Sequence, residues 1–330
     1  MNDATDKDAK GTIRWRSLAF LLEKLSWLTV ACVLLGLLGR YYFALELLSH
    51  FRIQQTAVLI ISAILLFFLR HRRAFWFSLI SGSILSLSLA PFFFSGGKAD
   101  SGNRNQYKLV SLNVLFSNQE KQKVVDYLIK EDPDFVFLYE TDTEWIRFLQ
   151  KSKLIESENL LWQQFHADAQ GGGIAFFSKH KVNYRFHNSI DAPKVGSDSI
   201  EISFETRDGK TVHLHGIHPP PPLSPQLFLR RNQTFQFIAE RVQQNGSENT
   251  IVSGDFNCTP WSPYYSQFVR DSELVSAAYG TGLGITWDPF GKALGLPIDH
   301  VFTGKGILTA DFQIGPYVGS DHRPLVLKFQ

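Results

Sequence analysis

The chain has 330 residues, with 33 Lys and Arg against 31 Asp and Glu and a formal charge of +2. That length suits one large domain plus an appendage, and two cysteines without a C-x-x-C spacing argue against a disulfide scaffold or a thiolate zinc site. The first 100 residues hold 11 basic against 6 acidic side chains, which leaves 22 against 25 in residues 101–330; the later part lacks the basic excess by which sequence-blind nucleic-acid binders neutralise phosphates.

Three apolar stretches fill the front of the chain. Residues 25–39 carry no charge and continue through Arg40 into Tyr41-Tyr42-Phe43, while 53–69 and 74–94 are uncharged throughout. A helix crosses the hydrocarbon core with about 17–25 mainly apolar residues. Three spans are therefore expected, at about 24–44, 53–69 and 74–94, with Arg40 snorkelling to an interface. A cleaved signal would show one such run, not three. Lys7, Lys10, Arg14, Arg16 and Lys24 precede the first span, and Arg70-His71-Arg72-Arg73 separates the second from the third. By the positive-inside tendency both clusters lie in the cytoplasm, so an odd number of crossings exports whatever follows. Residues 95–106 read as a polar, glycine-rich tether.

From Tyr107 the period changes. Residues 107–114 read as a buried strand ending near Asn113, 119–130 as a helix stopped by Pro133, and 134–139 as a second strand ending at Glu140. This β-α-β unit delivers Asn113 and Glu140 to one sheet edge. Residues 171–178 suggest a strand entered through glycines. Residues 200–205 and 211–217 straddle Asp208-Gly209 as a hairpin, and Pro219–Pro222 must end the strand that carries His218. A helix over 227–243 and strands at 250–253, 299–302 and 325–329 complete the pattern. Many strands with helices between several of them point to a two-sheet α/β sandwich with helices outside.

Short polar fragments close these apolar runs: Ser111-Leu112-Asn113, Tyr139-Glu140, Gly216-Ile217-His218-Pro219, Gly254-Asp255-Phe256-Asn257, Ile298-Asp299-His300 and Ser320-Asp321-His322-Arg323-Pro324. Glu140 and Asp321 offer carboxylates, and Asn113 an amide oxygen, a donor set suited to Mg²⁺ or Mn²⁺. Asp255 and Asn257, two residues apart, can hold one water between them. Asp299 can fix the tautomer of His322, and His218 adds a second donor toward a phosphoryl or leaving oxygen. Together these groups suit in-line attack of water on a phosphorus ester.

In order and spacing the fragments resemble the endonuclease/exonuclease/phosphatase superfamily, whose fold is that of pancreatic-type deoxyribonuclease. The resemblance covers about residues 107–330 and implies a deoxyribonuclease-like sandwich behind a membrane region of residues 1–94. It implies Asn113, Glu140 and Asp321 as metal-binding and His218, Asp255, Asn257, Asp299 and His322 as catalytic. The expected protein is an integral membrane phosphoesterase of a bacterial inner membrane, its N-terminus cytoplasmic and its catalytic domain periplasmic. Its partners would be the bilayer and a phosphate ester (nucleic acid, lipid headgroup or small molecule), with no obligate protein partner evident. A phospholipid or sphingolipid phosphodiesterase of the same fold, and an inactive domain serving as receptor or scaffold, are the alternatives. Other residues read more plainly: Asn118 as a loop or cap residue, Asp288 as a turn residue, Cys258 as a small buried filler, and His213 and His215 as facing away from His218.

Overall fold

The computed structural model describes residues 2–94, 106–154, 162–166, 172–187 and 196–330, so the expected tether (95–106), apart from its last residue, and Gly171 lie outside the described residues. Two compact units divide the chain, residues 1–91 and 92–330.

The first unit is helical: α1 (Asn2–Leu37), α2 (Phe43–Ser49), α3 (Arg52–Phe68) and α4 (Arg72–Leu87). One helix of the described residues, Trp15–Arg40, is long and apolar enough to cross a membrane, and α2 with α3 passes the same test as a pair bent by 55°. The expected first span thus begins earlier and breaks where Tyr42 turns extended before α2. The expected third span is shorter than read, because α4 has 16 residues and covers only about 24 Å. Small side chains sit where these helices meet. The Ser78 hydroxyl donates to Ser26 Oγ at 2.8 Å, and a Cβ on Gly82 would lie 2.8 Å from Ile60, the close-approach packing that apolar helices use in place of hydrophobic burial.

A short helix, α5 (Pro91–Phe94), spans the boundary between the units, and the second unit lays down two six-stranded sheets. One has the order β11 (Thr309–Ile314), β12 (Leu325–Phe329), β1 (Tyr107–Asn113), β2 (Phe135–Tyr139), β4 (Ile174–Ser178), β3 (Trp162–His166). The other has the order β5 (Asn183–His187), β6 (Ser199–Glu205), β7 (Thr211–Ile217), β8 (Thr250–Asp255), β10 (Asp299–Thr303), β9 (Val275–Ser276). As expected, β1 and β2 run parallel across α6 (Lys121–Glu131), whose end is a left-handed Asp132 just before Pro133. Parallel pairing of β7 with β8 is likewise bridged by a helix, α8 (Pro225–Asn245), started by the Ser224 hydroxyl accepting from the Leu227 N–H. Helices α7 (Thr143–Gln150) and α9 (Pro263–Ser272) complete the second unit.

Three apolar layers result. Leu109, Phe135 and Phe137 from one sheet meet Ile202, Leu214 and Ile251 from the other. Val110, Leu112 and Leu138 point the opposite way onto α6 and α7, and Val252 and Phe302 onto α8 and α9. Strands buried on both faces read as near-continuous apolar runs, which is why they stand out in the sequence. Gly216 faces the other sheet closely, and a Cβ there would stand 2.6 Å from a Phe137 ring carbon. Gly216→Ala is expected to lower stability by about 1–3 kcal/mol through overpacking. Adding Phe137→Leu should recover part of that loss, as read by the midpoint of chemical unfolding in a double-mutant cycle.

Candidate active site

The ends of β1, β2, β7 and β8, together with the beginnings of β10 and β12, all reach the same edge of the sandwich. Asn113 closes β1, and its amide nitrogen donates to Glu140 Oε1 at 2.8 Å and to Asp255 Oδ2 at 3.0 Å, while its oxygen accepts from the Leu115 N–H at 3.0 Å. Glu140 follows β2 in a left-handed conformation (φ 61°) that turns the chain out of the sheet, and Oε2 accepts from the Phe116 N–H at 3.3 Å. Asp255 ends β8 directly opposite Asp299, the first residue of β10.

His322 stands between those two carboxylates. Its Nδ1 donates to Asp299 Oδ2 at 2.9 Å, and its Nε2 lies 3.7 Å from Asp255 Oδ2. The imidazole is set by its backbone: the His322 N–H donates to Ser320 Oγ, whose hydroxyl donates to the Asn113 carbonyl at 2.7 Å. His218 Nε2 lies 3.7 Å from Glu140 Oε1 and 3.6 Å from Asp255 Oδ2. Beyond Asp255 the chain turns left-handed at Asn257 (φ 49°), whose N–H donates to Asp255 Oδ1 at 2.9 Å and whose Nδ2 donates to the Pro219 carbonyl at 3.0 Å.

All eight residues singled out in the sequence therefore meet at one edge, linked by contacts within 4 Å except for Asp321, which is tied in through Trp287. The Trp287 indole donates to Asp321 Oδ2 at 2.9 Å, and the Thr286 hydroxyl oxygen accepts from the Ile298 and Asp299 N–H groups at 3.1 and 3.0 Å. The plainer readings fare well. Asn118 orders its loop by accepting from the Glu120 N–H, and Cys258 is buried and reduced. His215 faces Asn245 and Glu201 beneath α8, away from His218. Asp288, read as a turn residue, also accepts from Arg323 at 2.9 Å.

Burial shapes the protonation of the site. It lifts the Asp255 carboxyl, helped by the Asp299 charge and opposed by His322 and His218, to about 6. For His322 burial acts the other way, but the carboxylates of Asp299, Asp255 and Asp321 outweigh it and raise the imidazole to about 10. Two sets of side chains, Glu140 with His218 and Asp255, and Asp255 with Asp299 and His322, bring ligand atoms within 4.8 Å of one another. Asp321 Oδ1 is buried and receives no hydrogen bond from any described residue. Four carboxylates against two imidazoles, with one oxygen lacking a donor, form a donor set that fits a divalent cation.

A profile of the Endonuclease/Exonuclease/phosphatase family matches residues 110–322, well over half of the chain. The chain belongs to this family. It is accordingly a hydrolase acting on phosphate esters. The fold is similar to that of the endonuclease/exonuclease/phosphatase from Bacteroides vulgatus (TM-score 0.54, 16% identity, 69% of this chain and 99% of that one). It also resembles the human Nocturnin catalytic domain (0.52, 18%, 68% and 94%) and the 3′ phosphatase NExo from Neisseria (0.53, 18%, 68% and 99%). At these identities the likeness is one of fold. No curated protein matches the sequence.

The raised His322 gives a pH signature. Its folded value lies above the ordinary 6.5, so its contribution to stability is complete below about pH 6.5 and is lost as pH climbs toward 10. In metal-free protein the melting temperature should fall across that window. Asp299→Asn, which removes the largest of the raising charges, should flatten the fall and move the His322 titration in NMR back toward neutral pH.

Proposed function

We propose that residues 107–330 form a divalent-metal-dependent phosphoesterase tethered to a membrane by the N-terminal helices. The carrying observation is the row Asp255–His322–Asp299 set beside Glu140 and an Asp321 oxygen with no donor. Glu140 and Asp321 would hold Mg²⁺ or Mn²⁺, which when bound neutralises charge on the phosphoryl group. Asn113 presents its nitrogen to Glu140 and Asp255, so it fits a donor that ties the two carboxylates together better than it fits a ligand.

Asp255, lifted toward neutrality, has the basicity that suits a general base near physiological pH. It takes a proton from water while Asn257, its nitrogen committed to Pro219, orients that water through its oxygen. The water oxygen bonds to phosphorus and the bond to the ester oxygen breaks. His322, kept protonated by Asp299, donates to a non-bridging oxygen as charge develops. His218 donates on the side of Glu140, toward the phosphoryl or departing oxygen.

A second observation supports one substrate class over another. Phe116, whose N–H binds Glu140, is 46% exposed; Phe290, packed at 6.4 Å on the Trp287 that holds Asp321, is 77% exposed; Leu294 nearby is 54% exposed. Exposed apolar side chains on segments linked to site residues, a near-balanced charge and a membrane-competent helix favour a lipid-linked phosphate ester over nucleic acid. For the tether we keep three crossings, with α2 and α3 as one bent span and α4 as a short one. The basic clusters then lie in the cytoplasm and the site on the periplasmic side of a bacterial inner membrane.

Purified full-length protein with Mn²⁺ should hydrolyse bis-p-nitrophenyl phosphate and a vesicle-borne phospholipid, and plasmid DNA poorly. Asp255→Ala or Glu140→Gln should lower turnover by about 10²–10⁴-fold, and EDTA should abolish it. No turnover of any of these, or equal turnover by Asp255→Ala, would refute the enzymatic reading. A reporter active only outside the cytoplasm, fused after Gln330, should be active, and silence there would overturn the three-span tether.

A further inference from the structure

Asn257 closes the turn after β8 in the left-handed conformation (φ 49°), which asparagine tolerates better than most residues but which a turn must still hold in place. Besides the two bonds already described, its carbonyl accepts from Arg231 Nη1 at 3.3 Å. Arg231, on α8, is wholly excluded from solvent. Its guanidinium carbon lies 5.5, 5.5 and 5.7 Å from the ring centres of Phe228, Phe235 and Tyr264, and its Nε and Nη2 donate to Asn232 Oδ1 at 3.1 and 2.8 Å. A guanidinium so deep in the interior is costly unless its N–H groups are bonded and its plane is fixed. The three rings and Asn232 fix that plane, and one arm of the fork reaches the turn.

We propose that Arg231 is a positioning residue for hydrolysis. By gripping the Asn257 carbonyl it holds the left-handed turn, and with it the Asp255 carboxylate and the Asn257 amide in the relative placement that water attack needs. This rests on the phosphoesterase reading for its catalytic consequence, while the grip itself is independent of it. The physical case is reach and direction. The bond goes to the one left-handed residue between the end of β8 and Cys258, and misplacement by about 1 Å in such a pair costs on the order of 10²-fold in rate. A lysine would keep the cation among the rings but lacks the rigid fork that serves Asn232 and the turn together.

The test uses the full-length protein in detergent, as wild type, Arg231→Lys and Arg231→Met. Three quantities are read: the melting temperature, hydrogen exchange of the amides over residues 254–258, and kcat and KM on bis-p-nitrophenyl phosphate with Mn²⁺. Both variants should exchange faster at the turn while β7 and the rest of α8 keep their protection. Turnover should fall about tenfold or more with KM within about twofold, and Lys should restore most of the melting temperature without restoring kcat. Unchanged exchange at the turn overturns the proposal, as does a kcat that follows the melting temperature and returns with Lys. Global unfolding of both variants overturns it too, marking Arg231 as a core residue alone. If wild type cleaves no ester, the phosphoesterase reading fails, and the exchange at the turn still decides the grip.

Discussion

Asp255 and Asp299 face each other across one register pair of β8 and β10, both nearly excluded from water. Like charges in that setting repel strongly and each is penalised by burial, so the sandwich edge is stable only with cations between and around them. His322 is the first of these, donating to one carboxylate and approaching the other. Its place depends on Ser320, and Ser320 in turn on the carbonyl of Asn113 in the neighbouring sheet. The charge balance of the site is thereby coupled to the packing of the two sheets. Removing the histidine would leave two buried carboxylates facing each other, a larger penalty than one lost hydrogen bond.

His322 does not exhaust the excess. Glu140 and Asp321 bring two further carboxylates, and among the described residues the hydrogen-bond donors that reach them are few: Asn113 and the Phe116 N–H for Glu140, and the Trp287 indole for Asp321. An edge with this much negative charge and so few donors attracts a small hard cation on electrostatic grounds, the same conclusion to which the ordered motifs lead.

Strands buried on both faces, β1, β2, β7, β8 and β12, were legible because layered packing writes long apolar runs. Edge strands were not. In β5, Asn-Tyr-Arg-Phe-His mixes polar and aromatic residues along a largely exposed strand, and β11 likewise alternates weakly; an edge with only one paired side imposes little pattern. At the site, residues whose own chemistry is distinctive could be picked out by type and position. Residues that act by holding another could not: Trp287 meets Asp321 across 34 residues, and Arg231 meets Asn257 across 26. Asn113 shows the limit from the other side, since residue type identifies an amide at the site but only the fold decides whether its oxygen or its nitrogen faces the carboxylates.

In the mechanism proposed above, the groups around phosphorus are blind to what the ester carries, because they address only the phosphoryl oxygens, the water and the departing oxygen. Under that mechanism, discrimination would come from residues around the site. There Phe116 is joined to Glu140 through its own N–H, and Phe290 to Asp321 through Trp287. The same short segments carry exposed apolar side chains and also bond to carboxylates of the site, which under the proposed lipid-ester reading would join recognition to chemistry. In the proposed mechanism, contact at these segments would bear on residues bonded to the carboxylates, a route by which binding energy from a remote apolar group could be expressed in the transition state and not only in the bound complex. An ester without an apolar portion would reach the same phosphoryl machinery without that contribution, and its disadvantage would appear in kcat as well as in KM.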